Sequence, residues 1–232
     1  MILDIYKDSF EFASRKISTL LLLGVLSFFH LLLIPMIFFY GYSYRVVKVS
    51  TQSMINGEDV PPEFNDFKRM FIDGLRYIVV TFIYLIIPVI LFSVGLVYGS
   101  WILLIIGIVL FIIFALFAYA AIPHMATNDD SLKSAFAFGE INNVISSIGY
   151  GRYVLNYIGV ALISFVIFAV VIFILSFIFA ILGIATINIF GGSGAVSTLA
   201  SLIMNLVLFF LIMPYLSVFQ SRCSGLIYSL GC

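Results

Sequence analysis

Charged side chains are scarce in this chain. Only 9% of the 232 residues are Asp, Glu, Lys or Arg, and 63% are hydrophobic, whereas soluble domains carry about 25% charged residues. So few polar side chains cannot cover the surface of a water-soluble globule of this size, and most of that surface must face lipid. The scarcity of charge therefore excludes an ordinary soluble protein and predicts a membrane protein.

The few charges that are present balance each other. Eleven basic and eleven acidic residues give a formal net charge of zero. A chain without excess positive charge has no field that draws it to the phosphates of nucleic acid. Nucleic-acid binding is therefore excluded as a function.

Cysteine and histidine are equally rare, with two of each in the chain. Cys223 and Cys232 lie near the C-terminus without CxxC spacing, and His30 and His124 are far apart in the sequence. Zinc sites, disulfide frameworks and Ser-His-Asp catalytic sets all need these residues in larger number or closer spacing. We therefore predict no metal, no cofactor and no enzymatic activity.

Long apolar runs take up most of the chain. Each run is long enough to cross a bilayer, and continuous apolarity favours helices over the alternating pattern of a barrel. The last run follows a Gly-rich turn at 191–194. The predicted fold class is all-α: one integral-membrane domain over 1–232, a polytopic transmembrane helical bundle. Its five spanning helices are predicted at 17–44, 77–97, 101–123, 153–187 and 196–219.

Between these runs lie weaker, amphipathic segments. In 131–148 the apolar residues recur at helical spacing after a polar cluster at 128–131, which is typical of a helix lying in the membrane interface. Residues 66–76 show a similar pattern, and 1–16 form an N-terminal interfacial segment. We therefore expect two long polar elbows, at 45–76 and 128–152, joined to the bundle by interfacial helices.

The distribution of Lys and Arg predicts an orientation. With five spans, both elbows and the C-terminus share one side of the membrane, and that side carries eight of the eleven basic residues. The positive-inside rule then places the elbows and the C-terminus in the cytoplasm and the N-terminus outside. A re-entrant first segment, broken near Gly24 or Pro35, would instead return the N-terminus to the cytoplasm.

The first elbow contains the most distinctive polar passage of the chain, at 57–67. Two prolines give it an extended backbone, and Asn65 or Asp66 can cap the helix that follows. One interpretation is a stiff connection into the second span. Another is a docking surface for a basic partner; cation binding is a third, although the spacing matches no EF-hand. The candidate docking residues are Glu58, Asp59, Glu63, Phe64 and Asp66.

This passage also carries a resemblance to a known family. The segments 41–47, 57–59, 61–64 and 71–75 resemble the signature of an archaeal membrane family catalogued as domain of unknown function 4013. Weaker similarity continues through 122–126 and 151–153. The resemblance implies a multi-spanning protein of the archaeal cell envelope with no established activity, and it supplies no catalytic residue to carry over.

Polar side chains inside the predicted spans are few. His30, Asn156 and Asn205 lie within helices one, four and five. Such residues either form hydrogen bonds between helices or line a path for a substrate. They are the candidate intramembrane polar site.

These observations lead to two functional hypotheses. The first is a non-catalytic envelope component that organises partners or lipids, because polarity is concentrated in the elbows while the spans lack buried charge. The alternative is a small-molecule or lipid transporter whose path uses the three intramembrane polar residues. The expected partners are membrane lipids, together with a protein partner or further copies of the chain.

Overall fold

A computed structural model describes residues 2–190 and 194–232, with the side chains of all of these except 185–190, 195 and 196. The described residues are helical and contain no strand, which confirms the all-α prediction. The turn predicted at 191–194 lies mostly outside the described residues. The helices are α1 Ile2–Ser14, α2 Ile17–Phe28, α3 Leu33–Thr51, α4 Phe67–Tyr98, α5 Trp101–Thr127, α6 Phe138–Ile148, α7 Tyr150–Phe190, α8 Gly194–Val207 and α9 Met213–Ser229.

Within the described part of the chain, four helices are long and apolar enough to cross a membrane. They are α4, α5, α7 over its described range Tyr150–Ile184, and the continuous helix Ser197–Ser229. The last of these joins α8 to α9 through one π-helical turn, Leu208–Ile212. Pro214 follows that turn and cannot donate the backbone hydrogen bond that a regular helix needs there.

The first predicted span, 17–44, is not one helix. It is divided into α2 and α3 by a turn at 29–32. Pro35 lies in the first turn of α3, a position where proline is tolerated because its missing N–H has no helical partner to lose. Leu23 of α2 and Tyr42 of α3 belong to the same buried apolar cluster, so residues on opposite sides of the turn lie side by side. The α2–α3 segment is therefore a helical hairpin with its turn at 29–32, between Gly24 and Pro35.

One end of the bundle gathers the polar segments, and we call it the polar end. Asp8 of α1 pairs with Arg222 of α9, and Lys48 of α3 pairs with Asp130 in the second elbow. The N-terminal helix therefore lies at the same end as both elbows and the C-terminus. The five-span arrangement places the N-terminus opposite the elbows. In the structure α1 lies at the same end of the bundle as the elbows, because the α2–α3 hairpin returns the chain to that end.

Helix α3 lies at the centre of the bundle, between α4 and α9. It crosses α4 where Gly41 meets the backbone of Met70 and Gly74 meets the backbone of Ile37. On its other side, Gly225 of α9 packs against Ser50. These glycines have no side chain that would hold the helices apart, so the backbones approach closely.

The first four turns of helix α7 pack closely against the bundle. The Tyr153 hydroxyl donates to the Leu116 carbonyl over 2.7 Å, and the ring centroids of Tyr119 and Tyr157 lie 5.2 Å apart. Beyond Ser164 large apolar side chains are exposed, for example Phe165 at 67%. Such exposure is expected where a helix faces lipid.

The amphipathic predictions are partly realised as helices. The helix expected over 131–148 begins only at Phe138, after a single 3-10 turn at Ser134–Phe136. It buries Ile141, Ile145 and Ile148 along one face, as the spacing predicts. The amphipathic residues that follow the Asp66 cap form the first turns of α4 and run directly into the second span, as the sequence predicts.

Candidate functional site

The first elbow is held against the bundle by the residues that were predicted to dock a partner. Asp59 accepts a hydrogen bond from Arg222 (3.1 Å), Glu63 lies 3.5 Å from Lys16, and Asp66 caps α4 by accepting from the Arg69 backbone N–H. The Phe64 ring stacks on Tyr42 with centroids 4.7 Å apart, while Glu58 is exposed. These contacts agree with the stiff-connection interpretation, and partner docking stays a prediction.

A buried charge cluster joins the N-terminal helix to α9. Arg222 and Asp8 are both fully buried, at 0% exposure, with Arg222 Nε 3.0 Å from Asp8 Oδ2. The guanidinium also lies 4.5 Å from the centroid of the Phe12 ring. Burial acts to raise the pKa of Asp59, but hydrogen bonds from Ser53 and Arg222 leave that pKa below its ordinary value. We name Asp8, Phe12, Asp59 and Arg222 the Arg222 cluster. No sequence pattern distinguishes Arg222 from the other basic residues of the chain.

A second charge cluster centres on Asp130 of the second elbow. Lys48 Nζ lies 2.8 Å from both carboxylate oxygens of Asp130, and the Tyr44 hydroxyl donates to Oδ1 over 2.9 Å. Burial acts to raise the pKa of Asp130, but the hydrogen bonds from Lys48 and Tyr44 lower it overall. Nearby, Asp73 pairs with Arg76 at 3.3 Å and with Arg45 at 3.8 Å. Lys48, Arg45 and Arg76 thus have carboxylate partners within the chain.

The structure does not bring the three intramembrane polar residues together. His30 lies at the tip of the α2–α3 hairpin, where its ring stacks on Phe209 with centroids 5.1 Å apart. Asn205 is exposed on α8 and donates to the Ser201 carbonyl. Asn156 is 1% exposed and lies at the polar end, where its backbone carbonyl accepts from Tyr6. Each side chain has a separate environment.

A cavity of about 420 Å³ lies between α3, α4, α5, α7 and α9. Its volume falls in the range of about 300–1,000 Å³ that is typical of ligand sites. None of the described side chains that line it is charged. We call it the hydroxyl cavity because of its polar lining residues, which are Tyr40, Ser43, Tyr77, Thr81, Tyr119, Tyr157, Ser217, Gln220, Ser221 and Ser224.

Some of these polar groups hydrogen-bond to one another or to the helices. The hydroxyls of Ser43 and Ser217 lie 2.8 Å apart, and Ser224 donates to the Tyr119 carbonyl over 3.1 Å. The hydroxyl of Tyr119 is buried and has no hydrogen-bond partner within the described part of the chain. A buried hydroxyl without a partner carries a desolvation penalty, and because this oxygen has less than 1 Å² of accessible surface, the ring of Tyr119 rather than its hydroxyl lines the cavity.

An apolar groove of about 310 Å³ adjoins the hydroxyl cavity. It runs along α4 from Tyr77 to Val89, a distance of about 18 Å at the helical rise of 1.5 Å per residue. The wall shared by cavity and groove consists of Tyr40, Tyr77, Thr81 and Leu85. A hydrogen-bonding chamber and an apolar groove therefore lie side by side, with this wall between them.

The sequence does carry a pattern that indicates this cavity, although single polar residues in the spans do not reveal it. Ser217, Gln220, Ser221 and Ser224 are spaced by three, four and seven positions, which places them on one face of a helix. A polar stripe on an otherwise apolar span indicates a polar chamber inside the bundle. The contributions of α3, α4, α5 and α7 are too scattered along the chain to be recognised in this way.

Comparison with known proteins places the chain in a family. Residues 28–180 match the family described as Protein of unknown function (DUF4013). This region supplies the walls of the hydroxyl cavity that come from α3, α4, α5 and α7, but not the α9 stripe. No curated protein and no solved structure matches the chain. With well over half of its residues matched, the chain belongs to the DUF4013 family of proteins of unknown function.

Proposed function

We propose that this membrane protein is a non-catalytic component that binds a membrane lipid in the hydroxyl cavity. The observation that carries the proposal is the wall of Tyr40, Tyr77, Thr81 and Leu85 shared by the hydroxyl cavity and the apolar groove. An amphiphilic molecule needs two adjoining environments of this kind, one for its head group and one for its chain. Transport, the alternative hypothesis, stays a prediction.

The position of the cavity supports a lipid as the ligand. Tyr77 directly follows Arg76, and Val47 directly precedes Lys48, so the cavity begins next to the charged layer of the polar end. The groove then extends away from that layer for about 18 Å. One leaflet of the hydrocarbon core is about 15 Å thick, half of about 30 Å. A lipid of the adjacent leaflet therefore fits with its head in the cavity and its chain in the groove.

Native mass spectrometry of the protein purified in mild detergent tests this function. We expect the wild-type protein to retain one lipid. Ser217→Leu should lower the lipid-bound fraction by about tenfold, a loss of roughly 1.4 kcal/mol, because the larger side chain fills the cavity and removes a hydroxyl.

Ser201→Leu is the matched control, because Ser201 is exposed on α8 and outside the cavity. This variant should retain the lipid at the wild-type level. Equal retention by Ser217→Leu and Ser201→Leu would contradict the proposal, and so would a wild-type protein without bound lipid. Unfolding temperatures in the same detergent show whether either variant is misfolded.

We further propose that the polar end faces the cytoplasm. All eleven basic residues, each of them described by the structure, belong to segments of this end. The hairpin brings Lys7, Arg15 and Lys16 to the side where the other eight basic residues lie. The charge bias is therefore stronger than a five-span arrangement would give, and the positive-inside rule supports a cytoplasmic location.

Cys232 offers a direct test of this orientation. It is exposed, whereas Cys223 is buried. We expect a membrane-impermeant maleimide to label the protein in inside-out vesicles and not in right-side-out vesicles. Cys232→Ser should abolish the labelling and serves as the control. Labelling confined to right-side-out vesicles would reverse the proposed orientation.

A further inference from the structure

We infer that the lipid bound in the hydroxyl cavity has an uncharged, hydroxyl-bearing head group and lays one hydrocarbon chain along α4. This inference rests on the proposed function and adds the chemical class of the ligand. It follows from the lining of the cavity, from the pairing of the nearby charges and from the length of the groove.

The lining favours an uncharged head group. None of the described side chains around the hydroxyl cavity or the apolar groove carries a carboxylate, an ammonium or a guanidinium group. Moving a charged group from water into such a chamber without a counter-charge costs several kcal/mol. A phosphate or a quaternary amine would bear this cost, whereas a neutral head group would not.

The basic side chains next to the cavity are already paired. Lys48 lies 2.8 Å from Asp130, and Arg76 lies 3.3 Å from Asp73. Arg45 lies 3.8 Å from Asp73 and also donates to the backbone carbonyls of Asn65 and Asp66. An anionic head group would have to compete with these carboxylates and carbonyls for the basic side chains. The polar end therefore supplies no free counter-charge for an anionic lipid in the uncharged cavity.

The hydroxyls of the cavity match a ligand that also carries hydroxyls. Serine, threonine and tyrosine each donate one hydrogen bond and accept others, and so does a hydroxylated head group. Ser43 and Ser217 bring side-chain hydroxyls to the cavity, and Thr81 lies where the cavity meets the groove. A hydroxylated head group could therefore be bound as both donor and acceptor.

The groove accommodates a long chain. Beyond the apolar groove, a second apolar pocket of about 270 Å³ shares Val89 with it and continues to Phe92. Tyr77 and Phe92 are about 22 Å apart along α4. This path exceeds the thickness of one leaflet, about 15 Å. One hydrocarbon chain could therefore follow α4 through its whole leaflet.

A panel of lipids with identical acyl chains tests the inference. The full-length protein in detergent is mixed with dioleoylglycerol, dioleoylphosphatidylglycerol or dioleoylphosphatidylcholine, and the lipid-bound fraction is measured by native mass spectrometry. We expect dioleoylglycerol, which has a neutral head with one hydroxyl, to bind at least about tenfold more tightly than the other two. Equal or tighter binding of a charged lipid would overturn the inference while the proposed function stands. Binding of none of the three would count against the proposed function itself.

Variants at the wall between cavity and groove locate the bound lipid. Thr81→Phe should reduce dioleoylglycerol binding by about tenfold, because the ring would take up space where the cavity and the groove adjoin. Val79→Phe, an exposed position two residues away on α4 and outside both linings, should leave binding unchanged. Equal binding by these two variants would show that the lipid lies elsewhere.

Thr81→Val is a second variant, for use if Thr81→Phe disturbs folding, because valine has about the same volume as threonine. It removes only the hydroxyl, so the preference for dioleoylglycerol over dioleoylphosphatidylcholine should fall by about threefold. An unchanged preference would remove Thr81 from head-group recognition and contradict the inference.

Discussion

Replacing Arg222 with methionine is expected to lower the free energy of unfolding by about 3–5 kcal/mol. The guanidinium is fully buried and pairs with Asp8, which is also fully buried. Without Arg222, Asp8 would remain in the interior with no counter-charge, and α1 and the first elbow would lose their common anchor on α9. The measurement is the unfolding midpoint of the purified protein in detergent.

Two control variants test whether the loss of stability comes from the buried ion pair or would follow from removing any arginine. Arg152→Met alters an exposed arginine at the start of α7 and should change stability by less than about 0.5 kcal/mol. The double variant Asp8→Asn, Arg222→Met removes both buried charges, so it should be more stable than Arg222→Met alone. A double variant no more stable than the single one would show that the buried pair is not the source of the loss.

The second large effect is expected at the crossing of α3 and α4. A Cβ atom on Gly74 would collide with the carbonyl oxygen of Ile37 and lie 3.0 Å from the backbone nitrogen of Gly41. Because backbone atoms cannot move aside as a flexible side chain can, the two helices would have to separate. Gly74→Ala should therefore cost at least about 1–3 kcal/mol of stability.

Gly139→Ala is the matched control for this prediction. Gly139 lies in α6, and no atom stands within 4 Å of its Cβ position. Alanine is the better helix former, so this variant should keep or raise stability, by up to about 1 kcal/mol. Equal unfolding midpoints for Gly74→Ala and Gly139→Ala would mean that the crossing is less tight than described.

Gly74→Ala should also weaken lipid binding. Tyr40 of α3 and Tyr77 of α4 stack with ring centroids 5.1 Å apart and form part of the wall between cavity and groove. Separation of the two helices would displace this pair. The same native mass spectrometry measurement detects the effect, which links the helix crossing to the candidate site.

The elements that were correctly predicted from the sequence depend on local patterns. Composition and continuous apolarity indicated membrane helices, and four of the predicted spans fall within helices that the structure shows to be long and apolar enough. Of the two cap candidates Asn65 and Asp66, Asp66 caps α4, and the helical spacing of the apolar residues of α6 was also predicted correctly. Capping and amphipathic spacing involve residues within about two helical turns of each other, so they can be recognised in one sequence.

The α2–α3 hairpin shows where local patterns are insufficient. The run 17–44 is apolar and long enough for a spanning helix, and Pro35 only suggested a break. The turn at 29–32 is supported by distant packing, in which Gly24 lies against the backbone of Phe210 and His30 stacks on Phe209. Both contacts join positions more than 170 residues apart, so the sequence pattern alone could not distinguish the hairpin from a span.

The sequence by itself determined that the chain is an all-α membrane protein with its charges gathered in a few segments. Only the tertiary structure decided that the N-terminal helix joins the other charged segments at one end, that Arg222 pairs with Asp8, and that five helices border a hydroxyl-lined cavity. The physical reason is that apolarity and helical period are properties of neighbouring residues. A buried ion pair and a cavity between helices form only when distant helices pack together.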